Sequence, residues 1–333
     1  MVRVVLVSTL VALSVLLVSC ASGNAAVEAE PTAPSQGEVQ VKEAGPPPGI
    51  GKRDDSKVIG PYQEGAPLVV QSYKSSEANG TVNSWLLMGE TDAALIDGQL
   101  VLSEGANVVE MIKASGKTLR WIWLTHGHPD HCVGLNKIVE AFPDARLLSH
   151  PRVAEFAVET FEKYKKPLNK FFPGDIPDKV VVPTAHEGDT LTLEGVTIEI
   201  LTFEEGETEI TTALHIPVMK ALFAADMVYH RVHPWLNEMR LEGVRAHVDA
   251  IEAMDDVEHT YPGHGEPISK AYLATYRDYL AFFEAEVTTA KDSAALIKSV
   301  WAQHKDWRSL AGLRFSAAAY ISARESAKAD GAD

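Results

Sequence analysis

A chain of 333 residues that is 46% hydrophobic and 23% charged has the balance of one large globular domain or two small ones, which excludes collagen, wholesale disorder and a multi-span membrane protein. Its net charge of −16 gives phosphate backbones no global attraction, so no nucleic-acid partner is expected. Of its two cysteines, Cys20 is assigned to processing below, so no internal disulfide is expected and stability must come from the core or from metal.

In chain order, Arg3 is followed by an uncharged run from Val4 to Val18 and then by small residues around Cys20. The run is short for a membrane span and has the three-part build of an export signal. Leu17-Val18-Ser19-Cys20 resembles a bacterial lipobox. That resemblance implies a signal peptide over residues 1–19, a lipid anchor on Cys20, and a periplasm-facing lipoprotein with the outer membrane favoured. Residues 20–62 are rich in Pro, Gly, Ala and Glu, including Pro46-Pro47-Pro48-Gly49, and such composition cannot offset the entropy of ordering; it predicts a tether.

Order is expected to begin near Leu68. Strand-length apolar runs follow at Leu68–Tyr73, Thr81–Met88, Ala93–Asp97 and, after a short helical stretch around Val108–Lys113, at Leu119–Thr125. The last has apolar residues on both faces beyond Arg120, as a strand buried between layers requires. Leu135, Ile138, Val139 and Phe142 then repeat at helical spacing. A second strand set is predicted at Asp189–Leu193, Val196–Leu201, Thr211–Pro217 and Ala221–Asp226, with helices after Gly243 and Pro267. Tyr272, Tyr276, Leu280, Phe283 and Val287 line one face of the latter. Strands and helices in two halves suggest packed sheets with helices outside, an α+β domain over 63–268 with a C-terminal helical extension over 269–333 packed on it.

The chemistry concentrates after the buried strand, in Thr125-His126-Gly127-His128-Pro129-Asp130-His131. Three imidazoles and a carboxylate on a loop fixed by a strand before and a helix after can present ligands to one or two cations. The spacing lets His126 and His128 turn to one ion while Asp130 and His131 turn to another.

With Leu95-Ile96-Asp97, Phe223-Ala224-Ala225-Asp226 and Tyr261-Pro262-Gly263-His264-Gly265, this motif resembles the metallo-β-lactamase superfamily over nearly all of Pro67 to Pro267. The resemblance implies a four-layer αββα sandwich with a two-metal site at one edge. There Asp226 would bridge the ions, His264 would complete the second site and Asp97 would stand behind the ligands. It also implies a departure: where the family has G-H-T, this chain has Gly206-Glu207-Thr208, so Glu207 would replace the third imidazole of the first site. The alternatives are a solvated acidic run, Glu204 to Glu209, or His215 as third ligand. A carboxylate there makes the site less positive by one charge, which admits Mn or Fe(II) beside Zn, the ion expected first.

Acyl-homoserine lactonases carry a Tyr three residues after the bridging Asp, where Tyr229 stands, and the resemblance gives it donation to a substrate carbonyl or leaving oxygen. Tyr229, His230, Arg231, His233 and Trp235 form the expected substrate wall, able to meet an anionic or ester-bearing small molecule. His150, His186, His247, His259 and His304 read as surface or capped residues. The implied function is a metal-dependent hydrolase using a metal-bridging hydroxide on a small ester, lactone, thioester or amide, with Asp130 or Asp226 handling the proton. A mononuclear iron dioxygenase of the same fold and a catalytically weak metal-binding lipoprotein are the alternatives. No protein partner is identifiable from the sequence.

Overall fold

The computed structural model describes residues 56–63 and 65–329. The expected signal segment, Cys20 and the tether up to residue 55 lie outside the described residues. The end of the segment read as tether is a strand instead: β1, Lys57–Tyr62, pairs antiparallel with β2, Val69–Lys74. It is an outer strand with mostly exposed side chains and Pro61 near its end, so backbone pairing makes it and no apolar alternation announces it.

Next come β3 (Asn83–Met88), β4 (Asp92–Ile96), α1 (Leu102–Ser115), β5 (Thr118–Leu124), α2 (Pro129–Cys132), α3 (Leu135–Ala141), β6 (Arg146–Ser149), α4 (Pro151–Phe171) and β7 (Thr184–Ala185). The first sheet runs β1 to β7 in chain order, antiparallel up to β4 and parallel from β4 to β7. Each parallel step is crossed by helix, as parallel neighbours require. The second sheet holds β8 (Thr190–Leu193), β9 (Val196–Glu204), β10 (Ile210–Ile216), β11 (Ala221–Tyr229) and β12 (His259–His264). Its first four strands are antiparallel; β12 returns parallel to β11 through α5, Leu241–Ala253. Helices α6 (Lys270–Thr289), α7 (Ser293–Gln303) and α8 (Leu310–Ala329) follow.

Three apolar cores give four layers. Trp85, Trp121, Trp123, Phe223 and Tyr261 fill the space between the sheets. Residues of α1, α3 and α4 bury the outer face of the first sheet, and residues of α5 to α8 bury that of the second. The expected αββα sandwich is therefore the fold. The central tryptophans also bolt the sheets together, since a buried indole N–H needs an acceptor. Trp85 donates to the Pro262 carbonyl at 3.0 Å, Trp121 to the Thr192 carbonyl at 3.1 Å and Trp123 to the Thr212 hydroxyl at 2.9 Å, each across to the other sheet. The start of β3 and the ends of β4, β5, β11 and β12 meet at one edge, where Val82 bridges to His264.

Candidate metal centre

The histidine loop is set by Asp97, which leaves β4 in the left-handed region at φ 62°. Its carboxylate accepts the Thr125 N–H at 2.8 Å, the Thr125 hydroxyl at 2.8 Å and the His131 Nδ1–H at 2.9 Å. The Thr125 hydroxyl, having given its proton to Asp97, accepts from His126 Nδ1 at 3.0 Å. Likewise His264 Nδ1–H donates to the Gly80 carbonyl at 2.8 Å. In each case a partner behind the ring fixes the tautomer and turns the Nε2 lone pair forward, the arrangement that metal-ligating imidazoles use. Asp97 is thus saturated by the loop it holds, in the position behind the ligands.

In front, the side chains converge. His128 Nδ1 lies 3.0 Å from Glu207 Oε1, and His126 Nε2 lies 3.7 Å from Glu207 Oε2 and 3.9 Å from Asp226 Oδ2. On the other half, His264 Nε2 is 3.3 Å from Asp130 Oδ2 and 3.2 Å from Asp226 Oδ2, and His131 Nε2 is 3.4 Å from Asp226 Oδ1. Three compact groups with ligand atoms result, His126 with His128 and Glu207, Asp130 with His131 and His264, and, behind them, Asp97 with His126 and His131; Asp226 faces the first two. Close approach is enforced by glycine: a Cβ on Gly263 would meet Asp226 Oδ1 at 2.0 Å and a Cβ on Gly127 would meet the Ala157 nitrogen at 2.6 Å.

The acidic run around Glu207 is not a solvated one. Arg152 pairs with Glu204 and Glu209, Arg240 pairs with Glu205 at 3.2 Å, and Glu207 alone turns inward and is buried. His247 pins the loop: its Nε2 bonds the Glu204 carbonyl at 2.9 Å and its ring lies where a Gly206 Cβ would be, 2.0 Å from it. The expectation of a surface or capped residue therefore fails for His247, a buried residue of α5 that positions a ligand candidate. His215, the rival third ligand, is engaged elsewhere, with Glu199 at 3.0 Å and Asp256 at 3.4 Å.

Burial disfavours charge throughout the cluster, and neighbours decide which groups keep it. His131 and His264 are raised despite burial, His264 to about 10, because Asp226 and Asp130 face them. The same imidazoles hold Asp226 and Asp130 well below the usual carboxylate range against the opposing effect of burial. Burial and the positive His131 beside it drive His126 neutral. Burial pushes Glu207 up to about 7, against the pull of His128 and with the help of Asp226. His126 Nε2, His131 Nε2, Glu207 Oε2 and Asp226 Oδ1 are buried with no hydrogen-bond partner among the described residues. Such atoms are costly in a native interior unless something joins them. Imidazole nitrogens and carboxylate oxygens that face one another in one place without hydrogen bonds fit divalent cations.

The residues of the expected substrate wall go to four places. The Tyr229 hydroxyl donates to Asp226 Oδ2 at 2.6 Å and Glu207 Oε1 at 3.1 Å, and its ring stacks on His264 at 5.0 Å. Its proton goes to these carboxylates, and burial and Asp226 raise its pKa, so the proton stays. His233 is buried against Tyr279 and Trp307, away from the centre, and bonds the Tyr279 hydroxyl at 3.0 Å. His230 and Arg231 line a separate cavity. Trp235 lies 6.4 Å from the His128 ring with Tyr164 and Phe315 beside it, and Phe156 lies 6.3 Å from the same imidazole.

A sandwich of this layering with a His- and Asp-lined edge can be compared with known proteins. Residues 78–264 match the metallo-beta-lactamase superfamily, and the chain belongs to it. Members of that superfamily are mostly hydrolases, and the fold typically binds metal ions. Hydroxyacylglutathione hydrolase 1 of Vibrio vulnificus (strain YJ016) is 26% identical over 200 residues, covering 58% of this chain and 66% of that protein, so the chain spans just under two thirds of that relative. Among solved structures, a beta-lactamase domain protein from Burkholderia ambifaria has a TM-score of 0.56 at 16% identity, covering 79% of this chain and 87% of that one. A metallo-beta-lactamase family protein from Thermus thermophilus has a TM-score of 0.54 at 21% identity, covering 75% and 89%. At such identities the likeness is one of fold.

Proposed function

We propose that the protein is a two-metal hydrolase, zinc-dependent in the first instance, that opens a small ester, lactone, thioester or amide. His126, His128 and Glu207 would hold one ion and Asp130, His131 and His264 the other, with Asp226 shared. When bound, the ions would polarise the substrate carbonyl and make water nucleophilic at neutral pH. The residues of the chain do the rest. Asp130, the one carboxylate of the set with a quarter of its side chain open to solvent, takes a proton from entering water. Tyr229 holds Asp226 and Glu207 in one orientation. The Trp235 indole N–H, which has no acceptor among the described residues, would donate to a substrate oxygen while the ring, near His128, would back an apolar acyl group.

The observation that carries this reading is the convergence at one edge of buried nitrogen and oxygen atoms that have no hydrogen-bond partner among the described residues. Its test is metal analysis of protein purified without added zinc, joined to turnover on lactone, thioester, aryl ester and β-lactam panels. Asp226→Asn should lose about a thousandfold or more in turnover, since the shared carboxylate serves both ions. Wild-type turnover in that variant would remove the two-metal reading, and one iron per chain with oxygen uptake would replace it by a dioxygenase.

We also propose that the chain is exported and anchored through acylated Cys20, on the support of Arg3, the uncharged run to Val18 and the Leu17-Val18-Ser19-Cys20 pattern. Cys20→Ser should leave unprocessed or released protein; equal processing and membrane fractionation of mutant and wild type would refute it.

A further inference from the structure

The carbonyl that turns His264 toward the metal centre is itself held from behind. Gly80 follows the short turn Glu77–Asn79 at φ 92°, and Thr81 stays in the left-handed region at φ 57°. A β-branched residue rarely adopts that conformation, and such strain persists only where the surroundings over-determine it. Here the Asn79 and Thr81 N–H groups both donate to the Ser76 carbonyl, at 3.0 and 3.1 Å. The Ser75 hydroxyl donates to the Asn79 carbonyl at 3.1 Å and accepts the Val82 N–H at 2.9 Å. The Gly80 carbonyl, presented at the end of this turn, accepts the Thr81 hydroxyl at 2.5 Å and the His264 Nδ1–H at 2.8 Å.

Behind the turn stands Glu104, a buried residue of the first turn of α1. Its Oε1 accepts the Asn79 Nδ2–H at 2.5 Å, and its Oε2 accepts the Tyr73 hydroxyl and, at 3.2 Å, the Asn107 Nδ2–H. Burying a carboxyl group among neutral donors carries a desolvation cost that an apolar side chain closing the same helix against the same strand would avoid. What an apolar side chain would not supply is the oxygen that holds Asn79, the neighbour of Gly80. The backbone around His264 has a separate hold: Asn83 Nδ2 donates to the Pro262 and Gly265 carbonyls at 3.1 and 2.7 Å. His126 and His131 take their support from Thr125 and Asp97, so a change at Glu104 should reach the His264 imidazole and spare theirs.

We infer that Glu104 is a positioning residue for the ion held by Asp130, His131 and His264, acting through Asn79 and the Gly80 carbonyl on the His264 ring. Its consequence for metal rests on the two-metal reading above. Its geometric part concerns the imidazole alone, so each can fail without the other.

The test has two arms. In metal-free protein with isotope-labelled histidine, the His264 Nδ1–H proton bonded to Gly80 should give a slowly exchanging resonance, assigned by its loss in His264→Gln. Glu104→Ala and Asn79→Ala should each speed that exchange by about tenfold, the worth of one hydrogen bond, and the double variant should do no more than either alone. Glu104→Gln, whose amide oxygen can still accept from Asn79, should keep the slow exchange. In the second arm zinc is competed against a chelator. Glu104→Ala should weaken binding about tenfold in a His126→Ala background, where the remaining ion uses His264, and by less than about twofold in a His264→Ala background. Unchanged exchange in both Glu104→Ala and Asn79→Ala overturns the inference. So does a loss of zinc affinity that is equal in the two backgrounds or absent from both, the equal loss leaving Glu104 a support of the fold alone. If Glu104→Ala does not fold, Asn79→Ala decides by the same readouts. If neither background binds zinc, the two-metal reading fails separately, and proton exchange decides the role of Glu104.

Discussion

Two glutamates flank β9, and the sandwich treats them in opposite ways. Glu194, in the turn before the strand, reaches the β3–β4 turn and accepts the N–H groups of Glu90, Thr91 and Asp92 and the Thr91 hydroxyl at 2.6 to 2.8 Å. Those hydrogen bonds pull it down to about 2. Glu207, in the loop after the strand, is buried among imidazoles and carboxylates and pushed up to about 7, with Oε2 unpaired. One edge of the sheet spends its carboxylate on backbone donors, where it closes the structure. The other edge keeps its carboxylate supplied with lone pairs and short of donors, and such a group is stable as an anion only when a cation arrives.

The sharpest way to break this contrast is to remove Glu207. Glu207→Ala should lower the metal count from two toward one per chain and turnover by about a hundredfold or more. Glu204→Ala, Glu205→Ala and Glu209→Ala remove members of the same run that are paired outward with Arg152 and Arg240, and should leave the count at two. Glu207→His keeps a ligand but makes the first group more positive by one charge, and should move metal preference toward zinc over manganese. Unchanged stoichiometry in Glu207→Ala, read by elemental analysis, would return Glu207 to a structural role.

A smaller effect is expected one layer back. Asp97 is buried and holds Thr125 and His131. Asp97→Ala should weaken metal affinity by about tenfold to a hundredfold, as loss of a partner behind a ligand does, with turnover recovering at high zinc. Glu207→Ala should show no such recovery. If excess zinc rescued both variants or neither, the distinction between ligand and support would collapse.

How much of this was legible depends on how local each signal is. His126, His128, Asp130 and His131 fall within six residues, so the sequence alone joins them. Asp226 and His264 were found through motifs at strand ends, and Glu207 through its place in a motif it breaks. The residues from Tyr229 to Trp235 are neighbours in sequence but do not share a direction. The chain leaves β11, turns at Arg231 and delivers successive side chains to the centre, the separate cavity, the helical core and the aromatic wall. Nothing local signals that turn. Helix α4 was readable: Val153, Ala154, Ala157, Thr160 and Phe161 bury at helical spacing, but the abundant charge around them and Pro167 masked the pattern. The grip of His247 on Gly206 joins residues far apart in sequence and is visible only in three dimensions.

The smallest effect belongs to Glu194, and it sharpens the comparison because its sign is fixed by protonation. Its folded-state pKa of about 2 lies below the ordinary 4.5, so the folded chain binds the proton less readily than the unfolded one. The stabilisation is complete above the unfolded value and is lost as pH falls from 4.5 toward 2. Glu194→Gln keeps the side-chain size and one acceptor oxygen but removes the anion, so it should be less stable than wild type near neutrality. The gap should close over that acid window. Because the site is exposed, solvent screening keeps the gap modest and added salt should narrow it further. Urea midpoints of the two proteins, measured without metal at a series of pH values, give the difference directly, and protonation elsewhere largely cancels in the subtraction. A gap that stayed constant through the acid range would show that these hydrogen bonds do not depend on the charge, and the contrast between the two glutamates would reduce to one of burial.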